Sequence, residues 1–398
     1  MVQNVKNRDF DLIRKKILSF LLLLPFICEP ITMMMGDRSS LIIAVLHISF
    51  FVWSIWSICK TITPRNILLL FLFYLIIAIN IIIFPFSAEY FFDKSALMTY
   101  LIYLPISVLC FSTIICWDDF FQVFKPYVIL GTIIALFLIL RVGAEAMGDD
   151  ISYMQFSYFL LPIPMAAYSI YRLEKKWVYL LCFVLCCVVI FAYSARATII
   201  FLTLYILVLE LLLSFKSKKN RQGLLLIMIC GLLIILFQDV IIAQLSHISF
   251  FESSRFLSKL SDEELLQSDG RDIIFALCMN RLDTVGFEYS GFFGDRPYLQ
   301  GWGAYPHNFF IEIIMSMGWL VGSVVLLAFL IFLIVSYFKS SYKIVFFFLF
   351  FGLFARYIIS GSYLIEGRFW IFIFCLVSML NNKHTTIKRE NICNNPSI

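Results

Sequence analysis

Long uninterrupted apolar stretches constrain this chain more than any other feature of its sequence. They recur in blocks of about 18 to 25 residues, the length at which a helix rising 1.5 Å per residue crosses the roughly 30 Å hydrocarbon core of a bilayer. A soluble core cannot absorb this composition, because 62% of the 398 residues are hydrophobic and 14% are charged. The backbone must satisfy its own hydrogen bonds in hydrocarbon, and the alternating pattern of a membrane β-barrel is missing. We therefore predict an all-α, polytopic integral membrane protein.

The apolar blocks predict about twelve membrane-spanning helices. The predicted spans cover residues 17–35, 41–59, 67–86, 96–116, 127–142, 154–171, 177–193, 197–214, 223–245, 308–337, 344–360 and 369–380. The first is too long for the core of a cleaved signal peptide, so we expect it to be retained. The stretch from Trp177 to Ser214 has no Pro or Gly and would measure about 57 Å as one helix. We therefore expect it to turn back near Ser194 to Arg196.

The distribution of basic residues predicts the orientation of these helices. With the N-terminus in the cytoplasm, about two thirds of the 31 Lys and Arg residues lie on the inner side, as short cytoplasmic loops require. The chain then divides into spans one to nine (1–245), an outer loop (246–306), spans ten to twelve (307–380) and a tail (381–398). Both termini are predicted to be cytoplasmic. The protein is expected in the inner membrane of a bacterium.

The outer loop is long enough to fold by itself or to carry function. Ser261 and Glu264 have the spacing of a capping box, and apolar residues around them recur at helical spacing. We expect short amphipathic helices on the membrane surface and an irregular segment over 286–303. The alternative is that the loop is only a tethered cap on the bundle. The loop has five Lys or Arg against nine Asp or Glu. Any anionic ligand there must be held by individually placed arginines.

His307 is the first candidate catalytic residue, because it lies where the outer loop meets a predicted span. Pro306 precedes it, Asn308 is placed to cap the helix, and Glu312 follows on the same face one turn later. We expect this face at the outer membrane edge, where an imidazole could take a proton from a sugar hydroxyl. The alternative is that His307 is an interfacial polar residue. Asn308 and Glu312 are candidate substrate-binding residues.

Arginines on the predicted outer side form the second candidate group. Arg196 is flanked by apolar helix, which favours a ligand or partner, although snorkelling to the interface is an alternative. Arg271 follows a glycine and opens a predicted helix, suited to a phosphate, with an ion pair to Asp272 or Asp269 as the alternative. The remaining candidates, expected to bind substrate near the same face, are Arg141, Arg356 and Arg368. Such convergence favours a phosphate site.

Three segments resemble the superfamily of O-antigen polymerases and O-antigen ligases. They are SARAT (Ser194 to Thr198) at the start of a membrane helix, SDGR (Ser268 to Arg271) inside the long loop, and PHNFFIEIIMSMGWLVG (Pro306 to Gly322). The order and spacing of the three carry the likeness, together with the twelve-helix plan. The resemblance implies that Arg196 and Arg271 hold a diphosphate leaving group and that His307 positions or deprotonates the attacking hydroxyl.

The activity implied by the resemblance is transfer of a glycan from undecaprenyl diphosphate to a hydroxyl acceptor at the periplasmic face. No metal or other cofactor is expected, and neither the eleven cysteines nor the acidic residues show a metal-binding spacing. A polymerase would join lipid-linked repeats and a ligase would use the lipid A core, and we favour the polymerase. Two further hypotheses are a lipid-linked oligosaccharide flippase and a non-catalytic scaffold. Expected partners are membrane lipid and, by the resemblance, a chain-length regulator, with no nucleic acid.

Overall fold

The chain is helical in a computed structural model, which describes residues 2–35, 39–150, 153–193, 195–215, 271–286, 288–299 and 305–380, with Arg221, Gln222, Leu225 and Gln244 as isolated positions. No strand occurs in these ranges. The helices are α1 (Val2–Met35), α2 (Ser39–Ile58), α3 (Pro64–Ile83), α4 (Ser87–Phe91), α5 (Lys94–Met98), α6 (Leu104–Phe111), α7 (Phe120–Asp150), α8 (Tyr153–Leu160), α9 (Pro162–Glu174), α10 (Trp177–Tyr193), α11 (Arg196–Ser214), α12 (Arg271–Val285), α13 (Phe309–Lys339), α14 (Lys343–Leu349), α15 (Arg356–Ile359) and α16 (Gly367–Leu380). The predicted all-α class is confirmed for this part of the chain.

Within the described residues, five helices are long and apolar enough to cross a membrane. These candidate spans correspond to α2, α3, most of α7, α11 and α13. Three shorter apolar helices cover Ala96–Phe111, Trp177–Phe191 and Gly367–Leu380. Large apolar side chains on their outward surfaces are exposed, among them Leu68 of α3 and Leu327 of α13. Such surfaces need a hydrocarbon environment. The chain is therefore a helical membrane protein, while the predicted ninth span and most of the outer loop lie outside the described ranges.

Local sequence signals account for several helix boundaries. Thr63 caps α3 through a reciprocal capping box with Asn66, and Pro64 occupies the first helical position. The break expected between Trp177 and Ser214 is confirmed, because α10 ends at Tyr193 and α11 begins at Arg196.

The helices bury one continuous apolar core around α1. Residues from Ile17 to Phe26 are largely inaccessible, and α1 packs against α2, α7 and α8. Pro25 lies inside this stretch and cannot donate a backbone hydrogen bond to the preceding turn. The turn of α1 that contains Leu21 and Leu22 is therefore opened by the loss of one hydrogen bond, the one to the Leu21 carbonyl.

Gly318 divides α13 into two helices that fold back on each other, contrary to the single span expected over 308–337. Its backbone has φ 72° and ψ 168°, a conformation open essentially to glycine alone. In a straight helix Phe309 and Phe329 would be about 30 Å apart, but their ring centroids are separated by 5.1 Å. A Cβ added to Gly322 would approach Ile314 Cα to 3.0 Å. Residues 309–317 therefore run antiparallel to 319–339, an arrangement that hydrophobic periodicity cannot reveal.

We expect Gly318→Ala to destabilise the protein by about 1–3 kcal/mol, because the added Cβ strains the reversal. Thermal unfolding in detergent measures the effect. Gly352→Ala is the matched control, since a Cβ there meets nothing closer than 3.7 Å. Equal stability of the two variants would contradict the reversal at Gly318.

Polar contacts tie the connecting segments together at two opposite ends of the bundle. At the first, called the Lys15 end, Lys15 pairs with Asp119 and Arg14 donates to Thr61. At the second, called the Asn80 end, Asn80 Oδ1 accepts from Tyr289 and from the backbone N–H of Phe292.

Candidate functional site

Residues 305–312 lie midway between the two ends of the bundle. The second helix of α13 begins at the Asn80 end, where the N–H of Trp319 donates to the carbonyl of Gly286 at 3.0 Å. Phe329, which contacts Phe309, is ten residues further on, or about 15 Å along the helix axis. The expectation that His307 and Asn308 lie at the end of a single long span is therefore wrong. Because the chain re-enters the bundle before Gly318, these residues lie about 15 Å deeper.

Asn308 caps the re-entrant helix, as the sequence predicts. Its Oδ1 accepts hydrogen bonds from the backbone N–H groups of Phe310 and Ile311 at 3.0 and 3.1 Å, which satisfies donors at the helix start. Its Nδ2 donates to the carbonyl of Ile358 at 3.1 Å. Asn308 thereby fixes the position of His307 relative to α15.

Glu312 and Arg296 form the first buried ion pair of the site. Glu312 is inaccessible to solvent and lies 3.2 Å from Arg296 Nη2. It also accepts from the Ser362 hydroxyl and from the N–H of Tyr363. Arg296 Nη2 donates to the same hydroxyl at 2.8 Å. These contacts join the segment before the re-entrant helix to the segment before α16.

Arg356 and Glu366 form the second ion pair, in which the arginine is buried and the carboxylate is partly exposed. Arg356 Nη2 donates to Glu366 Oε1 at 2.8 Å, and the Tyr357 hydroxyl donates to the other carboxylate oxygen. Arg356 is 5% exposed. Its Nε and Nη1 atoms have no hydrogen-bond partner among the described residues. Buried guanidinium N–H groups normally have acceptors, so two donors remain available to a ligand.

Arg368 adds a third buried guanidinium close to this pair. It donates to the carbonyls of Tyr158 at 2.9 Å and of Leu22 at 3.2 Å, the second within the turn of α1 opened by Pro25. Its hydrogen bonds thus reach no carboxylate in the described part of the chain. The guanidinium groups of Arg356 and Arg368 both lie within 6 Å of the Phe159 ring centre. Of these two cations only Arg356 is paired with a carboxylate among the described contacts, which gives this part of the site a positive charge.

Tyr305 links the two ion pairs to His307. Its ring centroid lies 5.0 Å from the Arg296 guanidinium carbon and 4.2 Å from the His307 ring centroid. Burial raises the pKa of the Tyr305 hydroxyl, and the charges that act on it include those of Glu366 and Arg356. His307 has φ 55°, a left-handed conformation that histidine adopts more readily than most residues.

The buried carboxyl groups of the connecting segments have raised pKa values. Burial raises the pKa of Asp295 and of Glu366, opposed in each case by a neighbouring guanidinium, that of Arg296 or Arg356. Desolvation of the charged form is the physical cause. The described residues contain no group of three or more His, Cys, Asp or Glu side chains placed to hold a metal ion.

The structure brings together five of the eight residues predicted for the site: His307, Asn308, Glu312, Arg356 and Arg368. Arg196 begins α11, whose start is held by Ser157, the acceptor of the Ala195 N–H at 3.3 Å. The next residue, Tyr158, contacts both Arg356 and Arg368. Arg196 thus lies next to the site.

The other predictions for this region fall outside what the structure describes. The side chains of Arg141 and Arg271 lie outside the described part, although their backbones belong to α7 and α12. Ser261 and Glu264 of the expected capping box are outside it entirely.

Three residues of the site were missed from the sequence: Arg296, Tyr305 and Glu366. A signal existed for Glu366, which is the only Asp or Glu between residues 313 and 380. A single carboxylate in so apolar a stretch needs a partner. Arg296 and Tyr305 lie in the segment expected to be irregular or directly after it, where spacing gives no information about contacts.

Gly361 allows the second ion pair to form. It has φ 82°, and a Cβ there would lie 2.7 Å from Glu366 Oε1 and 3.4 Å from Arg356 Nε. We expect Gly361→Ala to displace the pair and to lower both stability, by about 1–3 kcal/mol, and ligand binding. Gly286→Ala is the control, since its φ is 58° and its added Cβ meets nothing closer than 3.9 Å. Thermal unfolding of both variants separates the steric clash with Glu366 from the backbone strain common to both. Equal losses of stability would argue against the close approach of Gly361 to Glu366.

Two buried arginines with unused donors can bind an anion. His307, which contacts Tyr305, can accept a proton. Comparison of this chain with protein-family models, with curated proteins and with solved structures finds no match.

Proposed function

We propose that this protein is a glycan polymerase of the O-antigen type, joining oligosaccharide repeats carried on undecaprenyl diphosphate. The observation that carries the proposal is the presence of two arginines, Arg356 and Arg368, which are 5% and 3% exposed and of which only Arg356 forms an ion pair, with Glu366. A diphosphate supplies the acceptors that the unused Arg356 donors require. The resemblance of SARAT, SDGR and PHNFFIEIIMSMGWLVG to the superfamily supports the same chemistry.

The proposed reaction is displacement at the anomeric carbon of the donor sugar. A hydroxyl of the acceptor glycan forms the new C–O bond while the bond from that carbon to the diphosphate oxygen breaks. His307 takes the hydroxyl proton, and Arg356 and Arg368 stabilise the charge that develops on the leaving diphosphate. Arg196 and Arg271 add to this anion site, as the resemblance implies. Undecaprenyl diphosphate leaves with the electron pair.

The membrane arrangement belongs to the same proposal. The chain crosses the inner membrane of a bacterium about twelve times, with both termini and the Lys15 end in the cytoplasm and the 246–306 loop on the periplasmic side. The site then opens toward the Asn80 end. Because it lies about 15 Å below that end, the acceptor glycan must enter the bundle, while the lipid-linked donor arrives from the bilayer. A chain-length regulator is the expected partner.

The test is reconstitution of the purified protein in vesicles with a short-chain polyprenyl-diphosphate-linked repeat. A polymerase produces a ladder of longer lipid-linked glycans and releases polyprenyl diphosphate in equal amount. Transfer only after lipid A core is added would indicate the ligase. Movement of unchanged substrate across the bilayer would indicate the flippase, and either result would overturn the polymerase.

A further inference from the structure

Three planar groups contact one another in a row at the base of the re-entrant segment: the Arg296 guanidinium, the Tyr305 ring and the His307 ring. The guanidinium carbon of Arg296 lies 5.0 Å from the Tyr305 centroid. The Tyr305 and His307 centroids are 4.2 Å apart, with 45° between the ring planes. The first distance is within the range of about 6 Å for cation–π contacts, and the second is a close ring contact, slightly shorter than the usual range of about 4.5–7 Å.

Arg296, at one end of this row of three groups, is held in place by its own contacts. Arg296 is 4% exposed and is held by Glu312 and Ser362, so its guanidinium cannot move without breaking a buried ion pair. A second contact, 5.5 Å from the Phe293 ring centre, limits its rotation. Arg296 therefore offers Tyr305 a fixed surface.

At the other end of this row, the backbone on both sides of His307 is restricted. Pro306 restricts the backbone on one side of His307 and the Asn308 cap restricts it on the other. The imidazole still has two side-chain torsions, and the Tyr305 ring is the aromatic group packed against it. A displacement of about 1 Å in a reacting group can reduce a rate by 10²-fold.

We infer that Tyr305 is a positioning residue for His307, holding the imidazole in the orientation required for proton transfer by means of the surface that Arg296 provides. The inference rests on the proposed function, because it presupposes that His307 is the proton acceptor. Tyr305 itself does not react. The aromatic ring performs this role. The hydroxyl contributes no hydrogen bond to it.

The experiment compares Tyr305→Phe, which keeps the ring, with Tyr305→Leu, which removes it. In the vesicle assay we expect Tyr305→Phe to stay within about twofold of the parent and Tyr305→Leu to lose at least about tenfold in kcat, with KM for the lipid-linked donor unchanged. A general packing defect would instead lower the yield of folded protein and affect Phe and Leu variants according to their volume. Gel filtration in detergent measures the folded fraction.

A second readout is independent of activity. The chain has four histidines, so NMR of protein labelled with ¹³C at histidine Cε1 gives few signals, and His307→Asn identifies that of His307. The Tyr305 ring current should displace this signal in the parent and in Tyr305→Phe, and Tyr305→Leu should remove the displacement. An unmoved signal, or full kcat in Tyr305→Leu when His307→Asn is inactive, would overturn the inference. Full activity of His307→Asn would instead overturn the proposed function. The NMR result would still decide whether the Tyr305 ring packs against His307.

Discussion

Replacing His307 with asparagine is expected to lower the turnover of the reconstituted protein by at least about 100-fold, the smaller end of what a positioned general base contributes. Asparagine is the informative replacement because it tolerates a left-handed backbone, and His307 has φ 55°. The substitution therefore removes the imidazole without adding the backbone strain that alanine would introduce. Release of polyprenyl diphosphate in the vesicle assay is the measurement.

The matched control for this variant is His384→Asn. His384 belongs to the tail predicted to be cytoplasmic, far along the chain from the site. We expect its turnover to equal that of the parent. Parental turnover in His307→Asn would eliminate the imidazole as the proton acceptor and leave the anion site without its catalytic partner.

Replacing Arg356 with lysine is expected to reduce turnover by about 100-fold, comparable to the loss of one donor that stabilises developing charge. Lysine keeps the positive charge and can still pair with Glu366. It cannot reproduce the planar array from which Nε and Nη1 remain available to a ligand. The protein should fold normally, so the loss should appear in kcat measured on equal amounts of folded protein.

Two companion variants separate the binding role of Arg356 from its structural one. Arg356→Met should destabilise the protein by about 1–3 kcal/mol, since it leaves the partly buried carboxylate of Glu366 without its ion-pair partner. Adding Glu366→Gln should restore most of the stability but no activity. If the double variant recovered turnover, the guanidinium would be structural, and the proposed diphosphate site would have to lie elsewhere.

Local signals predicted the helices and their ends better than any other feature. The break before Arg196 followed from the length of the apolar stretch around it. The cap at Asn308 followed from a polar residue placed after Pro306 and before an apolar run. Both are decided within a few residues, so the sequence contains the whole cause.

The depth of the site depended on contacts between distant residues. Gly318 is one glycine in a hydrophobic run, and its neighbours are as apolar as those of a straight span. The backbone conformation of Gly318 and the contact of Phe309 with Phe329 show that the chain reverses there. The pairing of Arg296 with Glu312 likewise joins an irregular segment to a helix, and helical spacing does not predict such a contact.

By itself the sequence determined that this protein is a bundle of membrane helices, because apolar length, composition and the need to satisfy backbone hydrogen bonds in hydrocarbon act residue by residue. The candidate histidine and arginines were also visible as polar residues in apolar surroundings. Only the tertiary structure decided which of them meet, which carboxylate each arginine uses, and how deep the site lies. Those properties arise when segments far apart in the chain pack together and exclude water, so that each buried charge must find its partner across the fold.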